Sequence, residues 1–158
     1  GKVISKGDNV VVTFLKVKNL PKGSRPDPST YLDADYISDH LAKFDGGVTK
    51  IAANTPTGPV GPPTGGTFVL PKSQADDLIA QAGGNPRKLE ELLGLDSGVL
   101  GNNPVRLDIN NPTGLRMPDG NEFGANTNWI PGGETSGGIL EATVDQIPLD
   151  KMVVKSIF

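Results

Sequence analysis

The spacing of apolar positions in the first third of the chain predicts a strand, a helix and a second strand. The run NVVVTFLKVK at 9–18 is β-branched and aromatic and alternates in its second half, as a half-buried strand does. Residues 2–5 would pair with it through a turn at 6–8. A helix over about 30–44 follows, with apolar residues on one face, and then a strand over 48–53.

Residues with strong positional preferences mark the ends of these elements. Ser29 or Thr30 is expected to cap the helix at its start, and the pair Gly46-Gly47 to end it. The segment NTPTGPVGPPTGG that follows the second strand offers few side chains for packing. A loop of this length inside a domain is either mobile or shaped around something.

The remaining pattern predicts two short helices and then strands. Ser73 would cap a helix over 74–82, and Asn85 with Pro86 at the first helical position would start another, ended by Gly94. The predicted strands are 67–70, 104–109, 114–117, 139–147 and 152–158, with the second and third paired around the turn 110–113.

This order predicts an α+β fold in which an N-terminal strand and helices pack on a mainly antiparallel, twisted sheet. The 158 residues fit one domain, 1–158.

Composition excludes several kinds of chemistry. The chain has no cysteine and one histidine, so disulfides, thiolate catalysis and zinc–sulfur sites are excluded and a histidine-based metal site is not expected. The net charge is −3, with +2 on residues 1–50 and −5 on the remainder, which gives no global attraction to nucleic acid. No apolar run approaches the ~20 residues that a membrane-spanning helix needs.

His40 is the sharpest single candidate for catalysis. Its side chain is the one type whose ordinary pKa lies near neutrality, and it flanks the apolar stripe of the predicted helix. Such a position suits a general base or acid that reaches a cleft. The alternative is a half-buried histidine that only packs.

The segment PDGNEFGANTNWIPGGETSGG at 118–138 is the second candidate. It contains the only tryptophan, Trp129, among glycines that allow unusual backbone shapes. Asn121 and Asn126 bring amides that both donate and accept, and Trp129 offers a flat face for a base or a sugar. Glu122 is a possible acid or base. The alternative is a compact surface loop whose tryptophan tucks back as an anchor.

Side chains on the flanking strands complete the candidate set. Arg106 and Arg116 could each clamp a phosphate in a forked geometry, although a strand arginine that pairs with a nearby acid is the alternative. Glu141 is a further acid that could face the same cleft, and Thr135 is a nearby hydroxyl.

Four stretches carry a resemblance to a known family: HLAKFDGG, GPPTGGTFVLP, KLEELLGL and LRMPDGNEFGANTNWIPGGETSGGILEATVDQIP. Over about residues 30–148 the chain resembles the C-terminal toxin domains of bacterial polymorphic toxins, of the contact-dependent growth inhibition and Rhs types. Such domains are delivered from the cell surface as part of a larger protein and act in the cytoplasm of a target bacterium. A small immunity protein neutralises each one in the producing cell.

The resemblance implies a metal-independent ribonuclease that cuts tRNA, with a fold like that of barnase, EndoU, colicin nucleases and RelE, and no cofactor. His40 would be the base or acid, Arg116 or Arg106 would stabilise the phosphorane, and Thr135 or Thr143 would bind a phosphate oxygen. Trp129 would stack on a base, with Asn121 and Asn126 binding nearby. Because the second histidine of the two-histidine ribonucleases is missing, Glu122, Glu141 or a lysine such as Lys43 would carry the other proton.

Two alternatives stay open. An ADP-ribosyltransferase or NAD glycohydrolase toxin would use His40, Arg106 and Glu141, but the E-x-E pair of one branch is absent from LEATVD around Glu141. A carbohydrate- or peptide-binding module without catalysis would use Trp129 as a stacking platform.

Overall fold

The computed structural model describes residues 7–158, with side chains from Thr13 onward. The α+β prediction is confirmed: helices pack on one antiparallel sheet of five strands. The helices are α1 (Gly7–Asn19), α2 (Ala34–Ala42), α3 (Lys72–Ala82) and α4 (Pro86–Leu93), with 3-10 turns at Pro28–Thr30 and Leu149–Lys151. The strands are β1 (Val48–Ala52), β2 (Thr67–Pro71), β3 (Val105–Ile109), β4 (Ala142–Val144) and β5 (Val153–Ser156).

The sheet has the spatial order β4-β2-β1-β3-β5, and every neighbouring pair is antiparallel. The central pair β1–β3 is in register over the whole strand, from Val48 opposite Ile109 to Ala52 opposite Val105. The ladder between β1 and β2 covers only two residue pairs, and the two strands diverge after Thr49. This divergence opens the sheet at the place where the candidate site lies.

Three apolar clusters hold the layers together. Alternation along β1 places Val48 on one face of the sheet and Ile51 on the other. Phe44 packs with the Val48 side, whereas α3 and α4 cover the Ile51 side through Leu78 and Leu89. A third cluster joins the N-terminal elements to the glycine-rich segment; its buried members are Val17, Tyr31, Leu32, Met117, Ala125 and Trp129.

The predicted N-terminal strand is wrong, because residues 9–18 lie in helix α1. Phe14 and Val17, three positions apart, share one face of this helix and pack into the third cluster, whereas Leu15 stays 53% exposed. Packing of one helical face therefore outweighs the β propensity of the valine run. The partner strand predicted over 2–5 lies outside the described residues.

Other element boundaries change for identifiable reasons. The Asp27 side chain, not Ser29 or Thr30, caps the first 3-10 turn, and α2 begins after Asp33. The predicted hairpin of 104–109 with 114–117 is also wrong: Arg116 bridges Thr143, and β3 pairs with β1 and β5.

The second predicted short helix is confirmed in detail. The Asn85 side chain accepts a hydrogen bond from the Arg87 amide, Pro86 takes the first helical position, and Gly94 ends α4 with a left-handed φ of 71°. The preceding helix, α3, starts directly after Pro71 rather than at a Ser73 cap. Local turn chemistry was thus predictive where a proline and a glycine bracket the element.

Candidate functional site

A cleft of about 680 Å³ lies where β1 and β2 diverge. One wall is the glycine-rich segment, the other is the C-terminal end of α4 with the loop after it, and the strands form the floor. Its apolar lining includes Phe68, Leu93, Leu95, Val99, Phe123 and Trp129, and its polar lining includes Lys50, Asn126, Asn128, Thr135, Ser136 and Glu141. Small-molecule sites commonly have this size and this mainly apolar character.

Basic side chains from the N-terminal elements fix the glycine-rich wall. Lys18 Nζ donates to the carbonyls of residues 127 and 129, at 2.7 Å each. Lys22 Nζ donates to the carbonyls of Phe123 and Ala125 at 2.8 and 2.7 Å. Arg25 donates to the Gly120 carbonyl at 2.5 Å. A segment without regular structure is thereby held in one shape, because these contacts satisfy its backbone acceptors.

A buried carboxylate fixes the opposite wall. Glu90, 1% exposed, accepts hydrogen bonds from the amides of Gly98 and Leu100 at 2.8 and 2.7 Å and pairs with Arg87. These bonds hold the pKa of Glu90 below its usual value although burial opposes them. The loop that carries Val99 to the cleft is therefore anchored through the amides on either side of Val99.

Lys50 lies in the floor, at the point where the sheet opens. Its Nζ donates to the Phe68 carbonyl at 3.1 Å, across the gap between β1 and β2. No ion pair to Lys50 occurs among the described side chains, 13–158, and burial lowers its pKa to about 8. Among the described residues it is the only lysine or arginine that lines the cleft. One cationic group with unused N–H donors thus faces the ligand space.

Glu141 lines the same floor just before β4. It is 8% exposed, and its carboxyl makes no hydrogen bond or ion pair with any side chain described by the structure, from Thr13 to Phe158. Burial, with a smaller contribution from the charge of Glu122, raises its pKa to about 8. A buried carboxyl without a partner is costly unless it is neutral or has a ligand, and proton carriers in active sites share this property.

His40 lies beneath the cleft rather than in it. It is 3% exposed, and its Nε2 donates to the backbone carbonyl of Glu141 at 2.7 Å. Since a carbonyl only accepts, this bond places the proton on Nε2. The ring lies between Tyr36 and Phe44, and burial lowers its pKa, which favours the neutral form. The geometry makes His40 a support for the Glu141 backbone. The imidazole does not line the cleft, so no contact with the ligand space supports the predicted catalytic role.

Trp129 takes the anchoring alternative and not the stacking role. Its indole is 5% exposed, with the Arg25 guanidinium 4.8 Å from a ring centroid and Gly120 packed against its six-membered ring. It anchors the segment to the third cluster and still forms part of the cleft wall. Its ring therefore offers no open face to a base or a sugar, and the binding-module alternative loses its platform.

The two arginines lie outside the cleft and are already paired. Arg106, 8% exposed, contacts Asp76 at 2.7 Å and Asp108 at 3.1 Å beside α3. Arg116 pairs with Asp145 at 2.8 Å and also donates to the Gly114 carbonyl. Each arginine thus takes the ion-paired alternative, and neither of the two faces the cleft as a phosphate clamp.

Glu122 and Asn121 organise the turn that begins the glycine-rich wall. The Glu122 carboxyl, 4% exposed, accepts from the amides of Asp119 and Gly120 at 2.9 Å each. Burial, opposed by these bonds, raises its pKa to about 7. Asn121 joins the same turn to Gly23 and Arg25 through three hydrogen bonds. Neither side chain lines the cleft, so both act as positioning groups.

Thr135 and Asn126 line the cleft and also join its two walls. Thr135 Oγ1 donates to the Leu92 carbonyl at 2.6 Å and accepts from the Ile139 amide. Asn126 Nδ2 donates to the Gly94 carbonyl at 2.8 Å, and Asn128 adds a bond of 3.2 Å to the same oxygen. The end of α4 is thereby fastened to the glycine-rich segment.

Four of the nine predicted site residues thus share the cleft: Asn126, Trp129, Thr135 and Glu141. Sequence reasoning missed Lys50, Phe68 and Phe123. The signal for Lys50 was present, since a lysine inside the strand VTKIA interrupts buried positions on both sides. The signal for Phe123 was not, because nothing in its neighbours distinguishes an exposed phenylalanine from a buried one.

Comparison with known proteins gives no family for this chain, so its function is argued from the geometry of the cleft. No helix within residues 7–158 is long and apolar enough to cross a membrane. The same residues contain no group of three or more histidine, aspartate or glutamate side chains placed to hold a metal ion. No protein-family model matches the chain, and no curated protein matches it.

Proposed function

We propose that the cleft is the active site of an antibacterial toxin domain that cleaves RNA, with tRNA as the substrate class, by acid–base chemistry. One observation carries this proposal. Two ion-pair-free groups of opposite type, the buried Glu141 carboxyl and the half-buried Lys50 amine, line one apolar cleft that has aromatic walls. Active sites place acid and base groups in such water-poor surroundings.

The reaction needs a base, an acid and a cation. The 2′-hydroxyl loses its proton and attacks the adjacent phosphorus, and the 5′-oxygen leaves with a proton, which gives a cyclic phosphate. One of the two groups, Glu141 or Lys50, takes the proton from the 2′-hydroxyl, and the other gives a proton to the 5′-oxygen. The Lys50 ammonium stabilises the charge on the phosphorane oxygens. Ser136 also lines the cleft and can donate its hydroxyl proton to a phosphate oxygen, whereas Thr135 already donates its hydroxyl proton to the Leu92 carbonyl. His40 holds the backbone of Glu141 and fixes where its carboxyl can point.

The resemblance to polymorphic toxin domains supports the biological setting of the proposal. A domain of this kind would be delivered as part of a larger secreted or cell-surface protein and act in the cytoplasm of the target. A cognate immunity protein would cover the cleft, whose mouth carries the exposed side chains of Val99 and Phe123. Pull-down of the domain with the product of the adjacent gene tests this partner.

A second candidate function is NAD consumption, as a glycohydrolase or ADP-ribosyltransferase. The size of the cleft favours it, because the volume is that of a small-molecule site and only one cationic side chain lines it among the described residues. Glu141, late in the chain at the cleft floor, would then stabilise the positive charge that develops on the ribose when nicotinamide leaves.

The experiment that tests the function uses the purified domain with total RNA and, separately, with NAD, both in the presence of EDTA. Fragments of tRNA that end in a cyclic phosphate support the ribonuclease. Loss of NAD with intact RNA supports the second candidate. If both substrates survive, the cleft has no activity of either kind and the proposal is wrong.

The pH dependence of turnover follows from the two groups in the cleft. One group must be protonated while the other is not, and the pKa of each lies at about 8. Turnover is therefore expected to follow a bell-shaped curve with its maximum near pH 8, whichever group is the acid. It should fall by up to about tenfold per pH unit on either side. A maximum near pH 6.5, the ordinary pKa of histidine, would instead assign the chemistry to His40.

A further inference from the structure

The aromatic surface that a ligand can reach is that of Phe123, not that of Trp129. Phe123 is 85% exposed at the mouth of the cleft, whereas Trp129 is 5% exposed with Arg25 against its ring. Phe68 continues the aromatic surface in the lining of the cleft, and a Cβ at Gly124 would lie 3.5 Å from its ring. The apolar mouth is completed by Val99, which is 55% exposed on the opposite wall.

The exposure of Phe123 is imposed by its backbone. Lys22 binds the carbonyls of residues 123 and 125, and the Ala125 amide donates to the Glu122 carbonyl at 2.9 Å. Three hydrogen bonds therefore fix the turn on which the phenyl ring stands. A single exposed apolar residue is ordinary, but a ring held at the rim of an apolar cleft is placed to cover what enters it.

We infer that the cleft binds a nucleoside monophosphate unit, with Phe123 stacking on the base and Lys50 contacting the phosphate. This inference rests on the proposed function in taking a nucleotide as the substrate and goes further in naming the unit that is held. Lys50, the single cation that lines the cleft in the described part of the chain, fits one phosphate group, and the carboxyl of Glu141 lies in the same floor. Aromatic stacking accepts any base because every base has a π face.

The test uses Trp129 as its probe, because it is the only tryptophan and lines the cleft. Its fluorescence is followed during titration with AMP, which RNA and NAD have in common, with adenosine and with ribose 5-phosphate. AMP is expected to bind tightest, since adenosine lacks the group for Lys50 and ribose 5-phosphate lacks the ring. Competition of AMP by NAD and by a 2′-deoxy dinucleotide, which cannot be cleaved, then distinguishes the two sources of the unit.

Variants assign the contact to a residue. Phe123→Ala should weaken AMP binding by about tenfold or more while leaving ribose 5-phosphate binding unchanged. Phe123→Tyr should restore AMP binding, because the ring is retained. Phe158→Ala is the matched control, since Phe158 is 49% exposed and does not line the cleft. Unchanged AMP affinity in Phe123→Ala, equal binding of ribose 5-phosphate and AMP, or no AMP binding at all would overturn the inference.

The binding data and the turnover data fail separately. AMP binding that depends on Phe123, without cleavage of RNA or NAD, leaves this inference standing and removes the proposed function. Cleavage that does not change in Phe123→Ala, together with unchanged AMP affinity, removes the inference and leaves the function standing.

Discussion

Replacing Glu141 with glutamine is expected to reduce turnover by about 100-fold or more while the domain stays folded, since a positioned acid or base contributes about 10²–10⁴-fold. Glutamine keeps the shape of the side chain and removes its proton chemistry. Burial also favours the neutral form of Glu141, with a pKa of about 8, so a neutral amide should not destabilise the fold near pH 7. The effect is measured as the initial rate on whichever of RNA and NAD the wild type consumes. Thermal unfolding confirms that the variant is folded.

The control for this substitution is Glu91→Gln on the solvent side of α4. The Glu91 side chain is 72% exposed and pairs only loosely, at 3.5 Å, with Lys88. Its replacement makes the same chemical change, carboxyl to amide, away from the cleft and should leave turnover unchanged. Equal activity of the Glu141 variant and the wild type would show that the carboxyl in the cleft takes no part in the reaction.

Gly133→Ala is expected to cause a large loss of stability in the glycine-rich wall. Gly133 has a φ of 86°, which strains an alanine by about 1–2 kcal/mol. A Cβ there would also lie 2.6 Å from ring atoms of His40 and 3.0 Å from Met117 Sδ. Forcing an atom into such packing costs about a further 1–3 kcal/mol.

Gly138→Ala provides a matched control for this substitution. Gly138 has the same φ of 86°, but a Cβ there would meet nothing within 4 Å. Its loss measures the backbone strain alone, so the difference between the two variants isolates the contact with His40. Since ~1 kcal/mol shifts Tm by about 2–4 °C at this size, thermal unfolding should separate the two by several degrees. Equal losses would mean that the ring of His40 moves aside freely.

The sequence predicted those elements whose ends are marked by capping residues, proline or glycine. Asn85 with Pro86 and Gly94 bracket α4, and its ends follow from the chemistry of those residues. Helix α1 was missed because its valine run has a strand-like local preference, and only its packing against Tyr31 and Leu32 makes it helical. Pairing partners were equally out of reach, since nothing local in the sequence shows that Arg116 bridges Thr143.

The site was predicted in part, and the limit has a physical cause. Glycines, amides and the lone tryptophan indicated a shaped wall, and the structure places Trp129, Asn126, Thr135 and Glu141 around one cleft. Which face of the wall meets the ligand depends on contacts far apart in sequence, such as Lys18 and Lys22 with the carbonyls of the glycine-rich segment. The ordinary pKa of an imidazole made His40 a candidate, but the side chain is buried beneath the cleft and does not line it.

The central claim is that the cleft, with Glu141 and Lys50 in its floor, performs the chemistry while His40 supports it from behind. The most direct test is the turnover of His40→Gln at a temperature at which circular dichroism shows the variant folded. The glutamine amide can still donate to the Glu141 carbonyl, so turnover is expected to stay within about tenfold of the wild type, well short of the ~10²-fold loss that removing an acid or base causes. A loss of 100-fold or more in the folded variant, with Glu141→Gln still active, would contradict the claim and return the catalytic role to the imidazole.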